Sequence, residues 1–272
     1  MSVSIFVENA WLLAVAINTV LIAIALLLPK KLLTPAGYAH AWLLGVVVWG
    51  ALGWRGYTTI LVYFFVGSAV TKVGMAEKEA YGIAEARGGV RGPGNVWGSA
   101  LTGTVCALGI VALEILSPSS LSLWQSLLAL GFVASLSTKL SDTTATEIGK
   151  AYGQRTFLIT TLQPVERGTE GAVSLEGTVA GVVGSLALAA IAWAVGLISF
   201  GGIGICAVAA FVATTAESLI GATVEEKLAW LSHDLVNIIN TTIGAVCAIA
   251  LGWLLAGSSM ASATMLIVWP TV

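Results

Sequence analysis

The chain has 272 residues, of which 57% are hydrophobic and only 10% charged. A soluble domain carries about 25% charged residues, so a water-soluble globular fold is excluded and lipid must solvate most of the surface. The net charge of −2 argues against a nucleic-acid partner. Cys106, Cys206 and Cys247 lie inside apolar runs, and His40 and His233 are the only histidines, so neither a disulfide framework nor a Cys/His metal site is expected.

In chain order, apolar stretches fall at about 10–28, 37–53, 57–73, 97–116, 122–140, 175–196, 202–221 and 235–257. Each is near the roughly 17–25 residues that a helix needs to cross hydrocarbon. The first is read as a membrane span rather than a cleaved leader, because Glu8 is the only charge before it and Leu26-Leu27-Leu28-Pro29 is no small-residue cleavage site. Only Gly53–Gly56 separates the second stretch from the third, which predicts a tight helical hairpin. The apolar tail Met260–Pro270 is too short to cross and is expected at the interface. The expected fold is all-α: a polytopic integral membrane bundle of about eight transmembrane helices, forming one domain over 1–272.

Charge is distributed unevenly between the two ends of this bundle. Lys30, Lys31, Lys72, Lys78, Arg87, Arg91, Lys139, Lys150, Arg155, Arg167 and Lys227 share one side, and Arg55 is the sole exception. By the positive-inside rule that side is cytoplasmic. The loops at about 74–96, 141–174 and 222–234 then face the cytoplasm, and both termini face away. The connections near Ser117–Ser120 and Ser199–Gly202 are short and uncharged. Trp11, Trp42, Trp54, Trp97, Trp124 and Trp230 fall near span ends, as an interfacial belt does.

A threefold echo runs through the chain. Phe65-Val66, Phe132-Val133 and Phe211-Val212 each open a span that leads to the basic side, and Thr71-Lys72, Thr138-Lys139 and Glu217-Ser218 follow at matching places. Each copy reads as helix, polar loop, helix. Such repeats bring polar helix ends together around one site.

The richest segment is Ser141–Arg155. On a helix, Lys139, Asp142 and Thr146 share a face. A carboxylate flanked by hydroxyls suits Mg²⁺, a hard ion that takes oxygen ligands and keeps several waters. Lys150 and Arg155 follow Gly149 and Gly153, where phosphates can approach the backbone. Asp142 and Glu147 with these hydroxyls and cations read as a metal–polyphosphate cradle, and Glu217, an acid near the end of an apolar span, is a functional-site candidate by position. A cation near a span end needs a partner, and Asp142 is the expected partner of Lys139. Ser174 precedes an apolar run and is the natural cap of the sixth span, a place where free N–H groups bind phosphate. Arg91 beside Gly92-Pro93-Gly94-Asn95 sits on a flexible, cationic stretch suited to closing over phosphates. Asn237 and Asn240 are three residues apart and share a helix face, where they serve either helix packing or a ligand. Arg91, Asn95, Lys150, Arg155, Arg167, Ser174, Asn237 and Asn240 are thus the expected nucleotide- and phosphate-binding set.

These segments resemble a known family. Asp142, Ala145, Gly149-Lys150, Tyr152-Gly153 and Arg155 are similar to the signature of membrane enzymes that use CTP, the phosphatidate cytidylyltransferases and polyprenol kinases such as dolichol kinase. The run Arg87–Ser99, the segment Ser141–Gly153 and Thr169–Ser174 resemble more closely the phytyl-phosphate kinase family, which is related to transmembrane protein 19. Asn237–Thr241 does not reproduce the basic, Gly-His-rich C-terminal motif of the cytidylyltransferases, which favours kinase chemistry. The resemblance implies phosphoryl transfer from a nucleoside triphosphate, typically CTP, to phytyl phosphate or a similar prenyl monophosphate held in the bilayer. The product for phytyl phosphate is the diphosphate, a precursor of tocopherol and phylloquinone. Carried onto this chain, it implies Mg²⁺ or nucleotide at Asp142 and Glu147, phosphates at Lys139 and Lys150, and Glu170, Ser174 and Glu217 completing the site, so that Asp142, Glu147, Glu170 and Glu217 are the expected metal ligands and Lys139 and Asp142, with Lys72, the expected catalytic residues. An active face on the cytoplasmic side of a prokaryotic cell or thylakoid-type membrane is expected. A CTP-dependent prenol kinase or cytidylyltransferase is the nearest alternative. A lipid transporter is less favoured, because it needs polar groups along a path through the bilayer, and here Glu114 is the main acid toward the far side.

Overall fold

The computed structural model describes residues 2–116, 121–223 and 232–257. The Ser117–Ser120 connection, Glu225-Glu226-Lys227 with most of the 222–234 loop, and the Met260–Pro270 tail lie outside the described residues. The chain runs through α1 (Ser2–Leu27), α2 (Pro35–Val70), α3 (Met75–Ala80), α4 (Pro93–Leu116) and α5 (Leu121–Tyr152). A two-stranded hairpin, β1 (Thr156–Leu158) with β2 (Ala172–Ser174), leads into α6 (Leu175–Ala194), α7 (Phe200–Thr223) and α8 (His233–Gly257). Seven of the described helices, all but α3, are long and apolar enough to cross a membrane.

The 36 residues of α2 supply two of the eight expected passages. A straight helix would place Thr34 and Tyr63 about 44 Å apart. Yet Arg91 touches both: its carbonyl accepts from Thr34 N at 3.0 Å, and its Nη1 donates to the Tyr63 hydroxyl at 3.0 Å. The helix therefore doubles back. The reversal is at Gly53, where φ 60 and ψ −158 break the helical run. That region is open to glycine alone, so the tight turn needs this residue. Asn18 of α1 seats against both arms: it accepts from the Tyr57 hydroxyl at 2.8 Å and faces Gly45.

At the centre stands α5, packed against α2, α4, α6, α7 and α8. Phe132, Val133 and Leu136 on it are wholly buried. Its last third departs from the expected 141–174 loop, for the helix continues to Tyr152 and the loop is only 153–174. Hydropathy falls after Leu140, but Ser141, Asp142, Thr144 and Glu147 are all buried. Neighbouring helices, not lipid, surround this polar end. The closest is α6, whose Gly177, Gly181 and Gly184 form a stripe facing α5. A Cβ on Gly177 would lie 2.5 Å from the Ala145 carbonyl oxygen, so only a bare backbone lets α6 approach so near.

The helix pairs of the sequence echo, α2 with α4, α5 with α6 and α7 with α8, line one cleft at the same end of the bundle. Their Phe-Val pairs are nonetheless inequivalent: Phe132 and Val133 are fully buried, whereas Phe65 and Phe211 are exposed at 55% and 49%. The copy on α5 is central and the other two are peripheral. The loops are tied together at that end. Leu33 and Arg91 form a parallel bridge, Arg167 pairs with Glu77 at 3.2 Å, and Lys78 pairs with Glu147. Arg55 lies at the other end, near the Gly196 turn after α6.

Candidate functional site

A cleft opens among these loops, with a volume of about 200 Å³. A single buried water needs only about 10–15 Å³, so the space admits phosphate-sized groups. Its floor is Lys139. The Lys139 ammonium donates to Asp142 Oδ2 at 2.5 Å and to Asn237 Oδ1 at 2.5 Å. Lys139 and Asp142 are only 8% and 7% exposed. Bringing two charges out of water is costly unless they are paired and hydrogen-bonded, and this arrangement provides both. The expected pairing of Lys139 with Asp142 is therefore present.

Each wall comes from a different loop. One face of α5 lines the cleft with Asp142, Thr143, Thr146, Glu147 and Lys150. The segment between α2 and α4 contributes Thr71, Glu85 and Arg91, and the start of α4 adds Asn95 and Ser99. Glu170, Ser174, Gly177 and Thr178 enter from the hairpin and the start of α6, and Thr214, Glu217, Ser218, His233 and Asn237 from α7 and α8.

Local structure explains these positions. Ser174 ends β2, paired with Thr156, and caps α6 by accepting from Gly177 N at 3.1 Å. Arg91 is held at its backbone, donating from N to the Leu32 carbonyl at 3.0 Å and accepting from Thr34 N. Its guanidinium lies over the Tyr63 and Phe64 rings at 5.6 and 5.8 Å. Asn95 Oδ1 accepts from Gly92 N at 3.0 Å and from Arg87 Nη2 at 3.3 Å, which fixes the entry into α4.

Four expected site residues lie outside the cleft lining. Lys72 is exposed on the turn after α2. Gly74, at φ 60, swings the chain so that α3 returns Lys78 instead. Lys78 is 0% exposed, donates to the Thr71 carbonyl at 2.8 Å and pairs with Glu147. Nothing in the charged triplet Glu77-Lys78-Glu79 distinguishes this lysine from a solvated one, which is why sequence reasoning missed its role. Arg155 is exposed just beyond α5. Arg167 is a loop staple, donating to Glu77 Oε1 and the Ala151 carbonyl at 3.2 Å each and stacking over Tyr81 at 5.7 Å. Asn240 is completely buried one turn deeper than Asn237, and neither of its amide atoms has a hydrogen-bond partner among the described residues.

The four expected metal ligands Asp142, Glu147, Glu170 and Glu217 all line the cleft. Lysines engage two of them, Asp142 and Glu147. Among the described residues no three or more His, Cys, Asp or Glu side chains are close enough to hold a metal by themselves. This donor set fits an ion of the Mg²⁺ kind, which binds through one or two carboxylates together with substrate phosphates and waters rather than in an all-protein cage.

No solved structure matches the chain. The chain is 63% identical over 241 residues to an uncharacterized membrane protein, sll0875, of Synechocystis, covering 89% of this chain and 91% of that one. It is 44% identical over 241 residues to Protein VTE6, chloroplastic, of Arabidopsis thaliana, covering 88% and 71%. Similarity reaches an archaeal protein, the uncharacterized membrane protein MJ0933 of Methanocaldococcus jannaschii, at 29% identity over 86% and 93% of the two chains. These matches span most of the chain, as the motif resemblance does. A family model described as integral membrane protein DUF92 matches residues 18–245, a range that holds every cleft-lining residue named above, and the chain belongs to that family.

Proposed function

We propose that this protein is a prenyl-phosphate kinase, which transfers the γ-phosphoryl group of a nucleoside triphosphate to a prenyl monophosphate such as phytyl phosphate. The observation that carries the reading is the convergence of Lys139, Asp142, Arg91, Lys150, Ser174 and Glu217 on one cleft at the loop end of a membrane bundle. The motif resemblance to the phytyl-phosphate kinase family and the 44% identity to Protein VTE6, chloroplastic, support it. CTP is the proposed donor, on the resemblance to CTP-using membrane enzymes, and the active face is placed on the cytoplasmic side.

Phosphoryl transfer asks the protein mainly for positioning and charge neutralisation. An oxygen of the acceptor monoester forms a new bond to the γ-phosphorus. The bond from that phosphorus to the β–γ bridging oxygen breaks, and the nucleoside diphosphate leaves with the electron pair. A phosphate monoester has its second pKa near 6, so the nucleophilic oxygen is already ionised at neutral pH and needs no general base. Lys139, fixed by Asp142 and Asn237, supplies a stationary positive charge at the cleft floor. Arg91 and Lys150 add cations at the walls. Mg²⁺ bound with the nucleotide would further neutralise phosphate charge, held by one or two of the cleft carboxylates Asp142, Glu170 and Glu217 together with phosphate oxygens and waters. Glu147, taken by Lys78, instead locks α3 against α5. The prenyl tail stays among apolar helices in the bilayer.

The test is purified protein with Mg²⁺, CTP or ATP, and a panel of prenyl monophosphates and prenols, with products read by mass. A prenyl diphosphate formed from a monophosphate is the expected result. Transfer of the whole nucleotidyl group, or turnover of the prenols alone, would replace this reading with one of its alternatives.

A further inference from the structure

The cleft is not symmetric along the membrane normal. Lys139 and Lys150 both line it from α5, and eleven residues of helix set their Cα atoms about 16 Å apart along the axis. Lys139 is buried at the inner end, beside the membrane-spanning part of the bundle. Lys150 lies in the last turn of α5, at the outer end, with the hairpin loop that carries Glu170 beside it.

Arg91 belongs to the inner end. Its Nη1 donates to the Tyr63 hydroxyl, and Tyr63 sits two turns inside the end of α2 at Val70. Tyr63 is itself 3% exposed, so it positions the guanidinium rather than meeting a ligand. At this level the outer surface of α2 is apolar, with Phe65 and Val66 exposed at 55% and 39%. An anion held between Arg91 and Lys139 is thus next to a lipid-facing surface.

We infer that the two ends are separate subsites: Arg91, oriented by Tyr63, together with Lys139 on the same cleft takes the monophosphate of the lipid acceptor, and the Lys150 end takes the water-soluble nucleotide. The inference rests on the kinase reading above. A lipid-borne phosphate enters from the side of the membrane and reaches only the inner end without dragging its tail into water. A nucleotide arrives from the aqueous side and meets the outer end first. The two polyanions then face each other across the Asp142–Thr146 stretch.

Three variants test it by steady-state kinetics on the full chain in detergent, with phytyl monophosphate and CTP each varied in turn. Arg91→Gln should raise the acceptor KM about tenfold or more, as loss of a charge-assisted hydrogen bond does, with little change in the CTP KM. Lys150→Gln should do the reverse. Gly67→Ala keeps every charge and a helix-favouring residue, but its Cβ would lie 2.9 Å from Arg91 Nη2. The guanidinium must move, so this variant should also raise the acceptor KM selectively. The same split should be seen without turnover, as ligand-induced shifts in thermal unfolding with phytyl monophosphate alone and with CTP alone. If Arg91→Gln and Gly67→Ala weaken CTP and leave the acceptor unchanged, the assignment of subsites is overturned while the kinase reading stands. A wild-type protein that makes no diphosphate overturns the kinase reading, and the binding shifts then decide the subsites independently. Wild-type protein that binds neither ligand overturns both.

Discussion

Lys139 on α5 and Asn237 on α8 are 98 residues apart in sequence and meet at 2.5 Å. Asp142 takes the same ammonium from the side at 2.5 Å. Two acceptors on two helices turn a long, flexible side chain into a fixed charge, and fixed charges are what phosphoryl transfer uses.

Removing the Asn237 carbonyl oxygen should therefore loosen the lysine without neutralising it. Asn237→Ala is expected to lower kcat about 10- to 100-fold, the range for one hydrogen bond to a charged group. Turnover of CTP with phytyl monophosphate measures this, and circular dichroism checks that the helices persist.

The Lys78–Glu147 pair is buried, with side chains 0% and 6% exposed. Breaking one partner of such a pair strands a charge and costs about 3–5 kcal/mol. Lys78→Met should lower the Tm in detergent, and Lys78→Met combined with Glu147→Leu should recover most of that loss. A single variant as stable as the wild type would show that the pair does not secure α3.

Lys72 and Arg155 are exposed and outside the cleft lining. Surface charges of this kind contribute little to a site they do not touch. Lys72→Ala and Arg155→Ala should each keep kcat/KM within about twofold of the wild type, in the same assay.

Gly53 has open space where a Cβ would sit, so nothing clashes there. Only its backbone conformation resists a side chain. Gly53→Ala should destabilise the fold by about 1–3 kcal/mol through strain alone, seen as a lower Tm without a change in KM for either substrate.

The membrane passages were legible in the sequence because lipid imposes a length and an apolar composition on each one. Even the α2 hairpin was signalled, by Gly53–Gly56 between two apolar runs. The inner end of the site was less so. From Leu140 to Tyr152 the chain reads as a loop by hydropathy, yet other helices bury it, and hydropathy cannot tell a polar group facing water from one facing a polar cleft. Spacing alone found Lys139, Asp142 and Ser174, since their partners or caps are close in sequence. Arg91's partner Tyr63 and the burial of Lys78 depend on a reversal at Gly53 and a turn at Gly74. Such tertiary relationships leave no local periodicity. The threefold echo aligns Lys72 with Lys139, but the echoing copies occupy central and peripheral places in the bundle and their side chains meet different surroundings.

The most direct measurement follows labelled phosphate through Asp142→Asn. With γ-labelled CTP, Mg²⁺ and phytyl monophosphate, the wild type should yield labelled phytyl diphosphate, and the variant should do so at least about 100-fold more slowly while still binding the acceptor. Wild-type rates of labelling in the variant would contradict the assignment of this cleft as the place where the phosphoryl group moves.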